Sequence, residues 1–231
     1  MSTSAAYAPA GVELRPQPAL AAGSPGSVCA VVGSFDPLHR GHMWMVQRLL
    51  ARFDLVALLV PARHFTKAVC PPHNATLDQR LDMIQRVYPP ASRVLCGVAH
   101  EVLFVRLAAC LERRFPGARV TFAMGNDTFE LLADSASYFN RLGLPWGDRE
   151  RRRLARLAEQ VVVFGRSARG ARYERVPDDL RAVSSTRVRR AAVSSKCELS
   201  ALVHPLVLSF IHQHGLYREP MPNSWFLVPG S

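Results

Sequence analysis

The chain predicts an α/β fold, doubly wound around a mainly parallel sheet of five or six strands with helices on both faces. Two observations predict it. Short, continuously apolar runs, the mark of strands buried on both faces, recur between residues 27 and 164. Segments with helical spacing and recognisable caps separate them, so strand and helix alternate four times through short loops. This is the Rossmann-like arrangement, in which ligands bind beyond the carboxyl ends of the strands, near the point where strand order reverses.

The elements follow in order. Residues 1–26 are rich in Ala, Pro, Gly and Ser, show no periodicity and are expected to form a flexible tail. Ser27–Val32 is the first buried strand. Gly41–Phe53 has helical spacing, with Met45, Leu49 and Leu50 on one stripe. Leu55–Val60 is a second strand, closed by Pro61. Thr76 opens the next helix, and Gln79 completes a capping box with it. Arg93–Val98 is a strand, Val102–Phe115 a helix, and Arg119–Met124 a strand stopped by Gly125-Asn126-Asp127. Helices are expected over Thr128–Ala133 and Asp148–Glu159, then a strand over Gln160–Phe164. Ser184 or Ser185 caps a short basic helix. Pro205 and Gly215 frame the last one. One domain over 27–218, with tails at 1–26 and 219–231, is the resulting organisation.

Composition narrows the class. Of 231 residues 48% are hydrophobic and 20% charged, enough for a sizeable core and against global disorder. No run is long and apolar enough to span a membrane, no signal peptide is evident, and a cytoplasmic location is expected. The five cysteines are scattered and read as buried, reduced thiols. Cys70 and His73 have metal-like spacing, but two ligands do not make a zinc site, so no metal site is expected. A net charge of +11 calls for anionic company, either phosphorylated small molecules or nucleic acid. The densest run, Arg149 to Arg156, carries Leu154 and Leu157 at helical spacing and reads as a solvated helix face. No helix-turn-helix or RNA-stacking motif accompanies it, so neither nucleic acid nor membrane is the expected partner.

The loop from Gly33 to His42 carries the chemistry. Gly33 ends a strand, and Asp36-Pro37 is a turn signal. A helix then starts near His39, with His39 and His42 three apart in its first turn and able to face the same way. A helix start offers free N–H groups and a positive dipole end, which suits phosphate. Gly41 keeps a side chain out of a nucleotide's path. Spacing alone favours a pair of surface histidines in an N-terminal helical turn, and a zinc pair lacks a third ligand nearby.

Gly33-Ser34-Phe35-Asp36-Pro37-Leu38-His39-Arg40-Gly41-His42 resembles the signature of the nucleotidylyltransferase superfamily, whose shared core is His-x-Gly-His. Val183-Ser184-Ser185-Thr186-Arg187-Val188-Arg189 resembles the Ile-Ser-Ser-Thr-x-Ile-Arg element of its nicotinate and nicotinamide mononucleotide adenylyltransferase branch. Phe122 to Asp127 is similar to that branch's strand-Gly-x-Asp turn, Arg80-Leu81-Asp82-Met83 to its Arg-Leu-x-Met helix, and Pro205 to Tyr217 to its last helix. The resemblance runs in order from about Val28 to Tyr217.

That resemblance implies transfer of the adenylyl group of ATP to nicotinate or nicotinamide mononucleotide, with release of pyrophosphate. It implies His39, His42 and Arg189 as catalytic residues. Gly33, Ser34, Phe35, His39, His42, Gly125, Asp127, Ser184, Ser185, Thr186 and Arg189 would line the ATP site. Lys67, Asn74, Thr76 and Arg80 would serve the acceptor. Mg²⁺ would arrive with ATP. A homo-oligomer stays open, since the sequence is silent on oligomeric state. One departure concerns the acceptor: bacterial members carry a ring-stacking Trp some eight residues after the Gly-x-Asp turn, where this chain has Ser135; Tyr138, Phe139 or Trp146 is a candidate substitute, though each such aromatic is more often a core residue. Phosphopantetheine, FMN or a polyol phosphate as acceptor stays open, and a basic nucleic-acid-binding module is the remote alternative.

Overall fold

The computed structural model describes residues 11–15, 24–62, 74–101, 103–134, 147–165 and 173–218. The strands are β1 (Val12–Leu14), β2 (Ser27–Val32), β3 (Leu55–Pro61), β4 (Val94–Ala99), β5 (Arg119–Gly125), β6 (Val162–Gly165) and β7 (Tyr173–Arg175). The helices are α1 (Arg40–Leu50), α2 (Leu77–Val87), α3 (Phe104–Arg114), α4 (Asn126–Ala133), α5 (Asp148–Gln160), α6 (Ser185–Ser194), α7 (Lys196–Leu202) and α8 (Pro205–His214).

The seven described strands form one sheet in the order β1-β4-β3-β2-β5-β6-β7, parallel except for β1. From β2 the chain winds outward through β3 to β4, then returns across the sheet to place β5 on the other side of β2. The reversal opens a crevice between the carboxyl ends of β2 and β5, next to Gly33 and Gly125.

Strand pleating distributes the core. Cys29, Val31, Val56, Leu58, Val60 and Cys96 point to one face, where α1, α2, α6, α7 and α8 cover them. Val28, Ala30, Leu55, Ala57, Leu59 and Leu95 point to the other, under α3, α4 and α5. In α5, Leu154 and Leu157 are buried while Arg149, Arg151, Arg152, Arg153 and Arg156 are exposed, as the leucine spacing predicts. Among the described residues no helix is long and apolar enough to cross a membrane.

Two expectations fail at the sheet edges. The sheet has seven strands rather than five or six, because β1 and β7, of three residues each, are too short to register as apolar runs. The segment expected to be a tail through residue 26 contributes β1, paired antiparallel with β4. Gly97 makes that pairing feasible: a Cβ there would lie 2.3 Å from the Glu13 carbonyl oxygen. Arg15 then ties the edge strand to α2 through Asp82, Gln85 and Asp78. The cysteines also differ from expectation: Cys29 and Cys96 are buried, but Cys197 is exposed on α7.

Candidate functional site

The loop from β2 to α1 crosses the crevice mouth. Its helix begins with an uncommon cap. His39 is the N-cap of α1, and its ring accepts a hydrogen bond from the His42 N–H, while the His42 ring accepts one from the His39 N–H, both at 3.4 Å. The reciprocal pattern is that of a capping box, built from imidazoles instead of a hydroxyl and a carboxamide. Both acceptors are Nδ1, so each neutral ring carries its proton on Nε2, the nitrogen directed away from the helix backbone. The rings stack, with centroids 3.7 Å apart and planes 22° from parallel.

Burial sets their charge. It pushes the His39 pKa down to about 4. His42 is held well below the usual imidazole range, first by burial and then by the neighbouring His39. At neutral pH the pair therefore presents two N–H donors and no net charge.

The glycines of this loop make room for the protein's own rings. A Cβ on Gly41 would sit 3.1 Å from the His39 ring, and one on Gly33 would sit 3.1 Å from the Phe35 ring. A side chain at Gly41 would therefore press on the His39 imidazole. Phe35, with a positive φ of 43° and a buried side chain, supports His42 edge-on at 4.9 Å. Ser34 is half-buried beside it.

The second motif meets the first. Ser184 caps α6 by accepting from the Arg187 N–H. Ser185 Oγ donates to the Pro37 carbonyl at 3.2 Å, and Arg189 donates to the Asp36 carbonyl at 2.6 Å. Arg189 also reaches the Thr186 hydroxyl at 3.4 Å and lies 3.8 Å from the Asp36 carboxylate. Two helix starts, distant in sequence, are therefore pinned to the same peptide. Across the crevice Gly125 ends β5 and caps α4, with no atom within 4 Å of where a Cβ would be. Asp127 is exposed in the first turn of α4.

The residues expected to serve the acceptor divide. Thr76 caps α2 in a complete capping box with Gln79. Asn74 and Arg80, 7% and 2% exposed, lie beneath the loop instead of lining an open face. Asn74 donates to the Asp36 carboxylate at 2.5 Å, and Arg80 donates to the Ala75 carbonyl at 2.8 Å. Their burial follows from the Asp36 carboxylate, which needs donors and positive charge around it in the core. Lys67, Cys70, His73, Ser135, Tyr138, Phe139 and Trp146 lie outside the described residues. Sequence reasoning missed Asp36 and Tyr217, whose hydroxyl donates to Asp36 at 2.7 Å.

A model of the cytidylyltransferase-like family matches residues 30–191. The chain belongs to that family. Both motifs fall inside the match. A protein of Gloeobacter violaceus named probable nicotinate-nucleotide adenylyltransferase is 28% identical over 214 residues, covering 81% of this chain and 94% of its own. One of the same name from Cereibacter sphaeroides is 29% identical over 198 residues, covering 80% of this chain and 96% of its own. Among solved structures, nicotinic acid mononucleotide adenylyltransferase of Plasmodium falciparum, complexed with NaAD, superposes with a TM-score of 0.58 at 14% identity. That superposition covers 85% of this chain and 99% of the other. The α/β architecture of the family and the expected Rossmann-like fold agree.

Proposed function

We propose that this chain transfers the adenylyl group of ATP to nicotinate mononucleotide, releasing pyrophosphate and forming the dinucleotide of NAD biosynthesis. The observation that carries the reading is the convergence of two helix starts on the Asp36-Pro37 peptide. Each helix start is a phosphate-binding element by its free N–H groups and dipole. Held against each other, they form a two-sided cradle for a triphosphate. The names of the full-length relatives supply the acceptor.

In this mechanism an oxygen of the mononucleotide phosphate attacks the α-phosphorus of ATP. The new P–O bond forms as the bond from the α-phosphorus to the bridging oxygen breaks, and pyrophosphate leaves with that electron pair. The nucleophile is already an anion, so the site needs no general base. Its work is positioning and stabilisation of charge. His39 and His42 donate from Nε2 to the phosphate oxygens. Ser184, Ser185, Thr186 and Arg189 hold the β- and γ-phosphates; Arg189 keeps donors to spare beyond those bound to Asp36 and Thr186. Gly33, Ser34 and Phe35 contribute backbone. Gly125 and Asp127 take the adenosine. Lys67 is the proposed cation for the acceptor phosphate, and Thr76 is assigned to the acceptor as well. Asn74 and Arg80 act from beneath the loop.

Among the described residues no group of three or more His, Cys, Asp or Glu is placed to hold a metal ion, and magnesium belongs to this reading as MgATP, the substrate. Residues 27–218 are the proposed catalytic unit, and the cytoplasm its proposed location.

The test is pyrophosphate release from MgATP with nicotinate mononucleotide, nicotinamide mononucleotide and phosphopantetheine in parallel. Turnover with nicotinate mononucleotide, at a kcat/KM above the other two, is expected. A folded protein that turns over neither pyridine nucleotide overturns the reading, and preference for phosphopantetheine reassigns the acceptor.

A further inference from the structure

Three segments that lie far apart in the chain close on one carboxylate. Asp36 is 3% exposed, three residues before His39. One of its oxygens accepts from the Ala75 N–H at 2.9 Å and from the Tyr217 hydroxyl at 2.7 Å. The other accepts from Asn74 at 2.5 Å. Arg80 and Arg189 each stand 3.8 Å away and balance the charge. The carbonyl of the same residue takes the Arg189 hydrogen bond.

Tyr217 is the odd member. Asn74, Ala75 and Arg80 come from the start of α2, and Arg189 comes from the second motif. Tyr217 comes from beyond α8, at the far end of the described chain. It reaches Asp36 with a left-handed backbone, φ 58°, a conformation that residues with a Cβ adopt rarely. Its ring is 1% exposed and packs in the core on the α1 and α2 face. A phenylalanine would fill that core equally well, so packing alone leaves the hydroxyl unexplained.

We infer that Tyr217 is a positioning residue for the reaction, acting through Asp36 on the loop that carries His39 and His42. This rests on the proposed adenylyl transfer. A buried carboxylate held by donors on both oxygens cannot rotate without breaking one of them. With the Tyr217 donor gone, one oxygen keeps a single partner, and the carboxylate can turn toward the two arginines. Because Arg189 is bonded to the Asp36 carbonyl, that turn moves both halves of the phosphate cradle. The hydroxyl thus fixes the relation between the His pair and Arg189, which matters most when charge develops in the transition state.

The experiment combines Tyr217→Phe with Asp36→Asn in the full-length chain, using two readouts. In steady-state assays, Tyr217→Phe is expected to lower kcat about tenfold, the scale of one hydrogen bond to a charged group, with KM for ATP within about twofold. In the double variant, Tyr217→Phe should add little to Asp36→Asn, because both act on one pathway. Additive losses in kcat, or a loss confined to KM, overturn the inference. The second readout is hydrogen–deuterium exchange, which needs no turnover. Faster exchange in peptides spanning 33–42 and 184–189, with 94–99 unchanged, is expected for Tyr217→Phe. Unchanged exchange in the first two, or faster exchange throughout, overturns positioning. If the wild type shows no turnover, the proposed reaction fails, while the exchange result still decides the link between Tyr217 and the loop.

Discussion

The starts of α1 and α6 are built for one ligand chemistry by opposite means. At α1 the cap is a pair of stacked imidazoles, His39 buried and His42 half-buried, both neutral, each fixing the tautomer of the other. At α6 the cap is the Ser184 hydroxyl, and the charge comes from Arg189, one turn further along. An imidazole escapes the cost of burial by shedding its proton; a guanidinium cannot, so it is anchored on a carbonyl and beside a carboxylate. The site therefore separates two tasks. One helix start supplies directed N–H donors, and the other supplies permanent positive charge. Asp36-Pro37 is the joint between them.

Removing a donor from the first start tests that division most severely. His39→Asn retains an oxygen able to cap α1 but lacks the outward Nε2–H. The expected result is a loss in kcat of about 100-fold or more, on the scale of losing one preorganised donor to a developing negative charge. ATP binding, measured by calorimetry, should weaken only a few-fold, because α6 and Arg189 remain. Equal loss of binding and turnover would mean that the imidazoles hold ground-state phosphate as Arg189 does, and the division of labour would collapse.

Much of this site was legible before the structure. The Gly33–His42 loop, the Val183–Arg189 element and the Thr76–Gln79 capping box were visible because their signals are local: glycines, turn residues and caps at fixed spacing. The short helix α7 was missed although Ser195 and Glu198 stand at capping-box spacing, and Ser195 does cap it. The joint was illegible for a deeper reason. Asp36 before Pro37 reads as an ordinary turn residue, and nothing near it announces a buried carboxylate. Its partners Asn74, Arg80, Arg189 and Tyr217 are brought to it by tertiary packing, from the start of α2, from α6 and from beyond α8. The histidine cap went unseen because imidazole is not among the usual N-cap groups, yet the three-residue spacing was the available clue.

The neutrality of the first helix start has a consequence in acid. His39 titrates near 6.5 when unfolded and at about 4 when folded, so below 6.5 the unfolded chain binds more protons than the native one. Stability from this group is complete above pH 6.5 and is lost as the pH falls toward 4, up to about 3 kcal/mol. Urea unfolding at pH 7.5 and pH 5 should therefore show a steeper loss in the wild type than in His39→Asn. Bound ATP should shrink that difference, since phosphate stabilises the protonated rings. Parallel pH dependences in the two proteins would show that the imidazole is not buried neutral, and the contrast with Arg189 would weaken.

The smallest effect sharpens the comparison from the other side. Ser184→Ala removes the hydroxyl that accepts from the Arg187 N–H, and an N-cap loss of this kind costs about 1 kcal/mol. The urea midpoint should fall accordingly, and KM for ATP should rise modestly as the α6 start frays. Ser185 and Arg189 resist that fraying, because both are bonded to the Asp36-Pro37 peptide independently of the cap. The α6 start is thus secured twice, by its own cap and by the opposite loop, whereas the rings capping α1 hold each other, with Phe35 against His42 and the Asp36 joint behind their loop. A Ser184→Ala cost well above that of His39→Asn at pH 7.5 would reverse this ranking, making the hydroxyl cap, and not the joint, the element that holds the charged half in register.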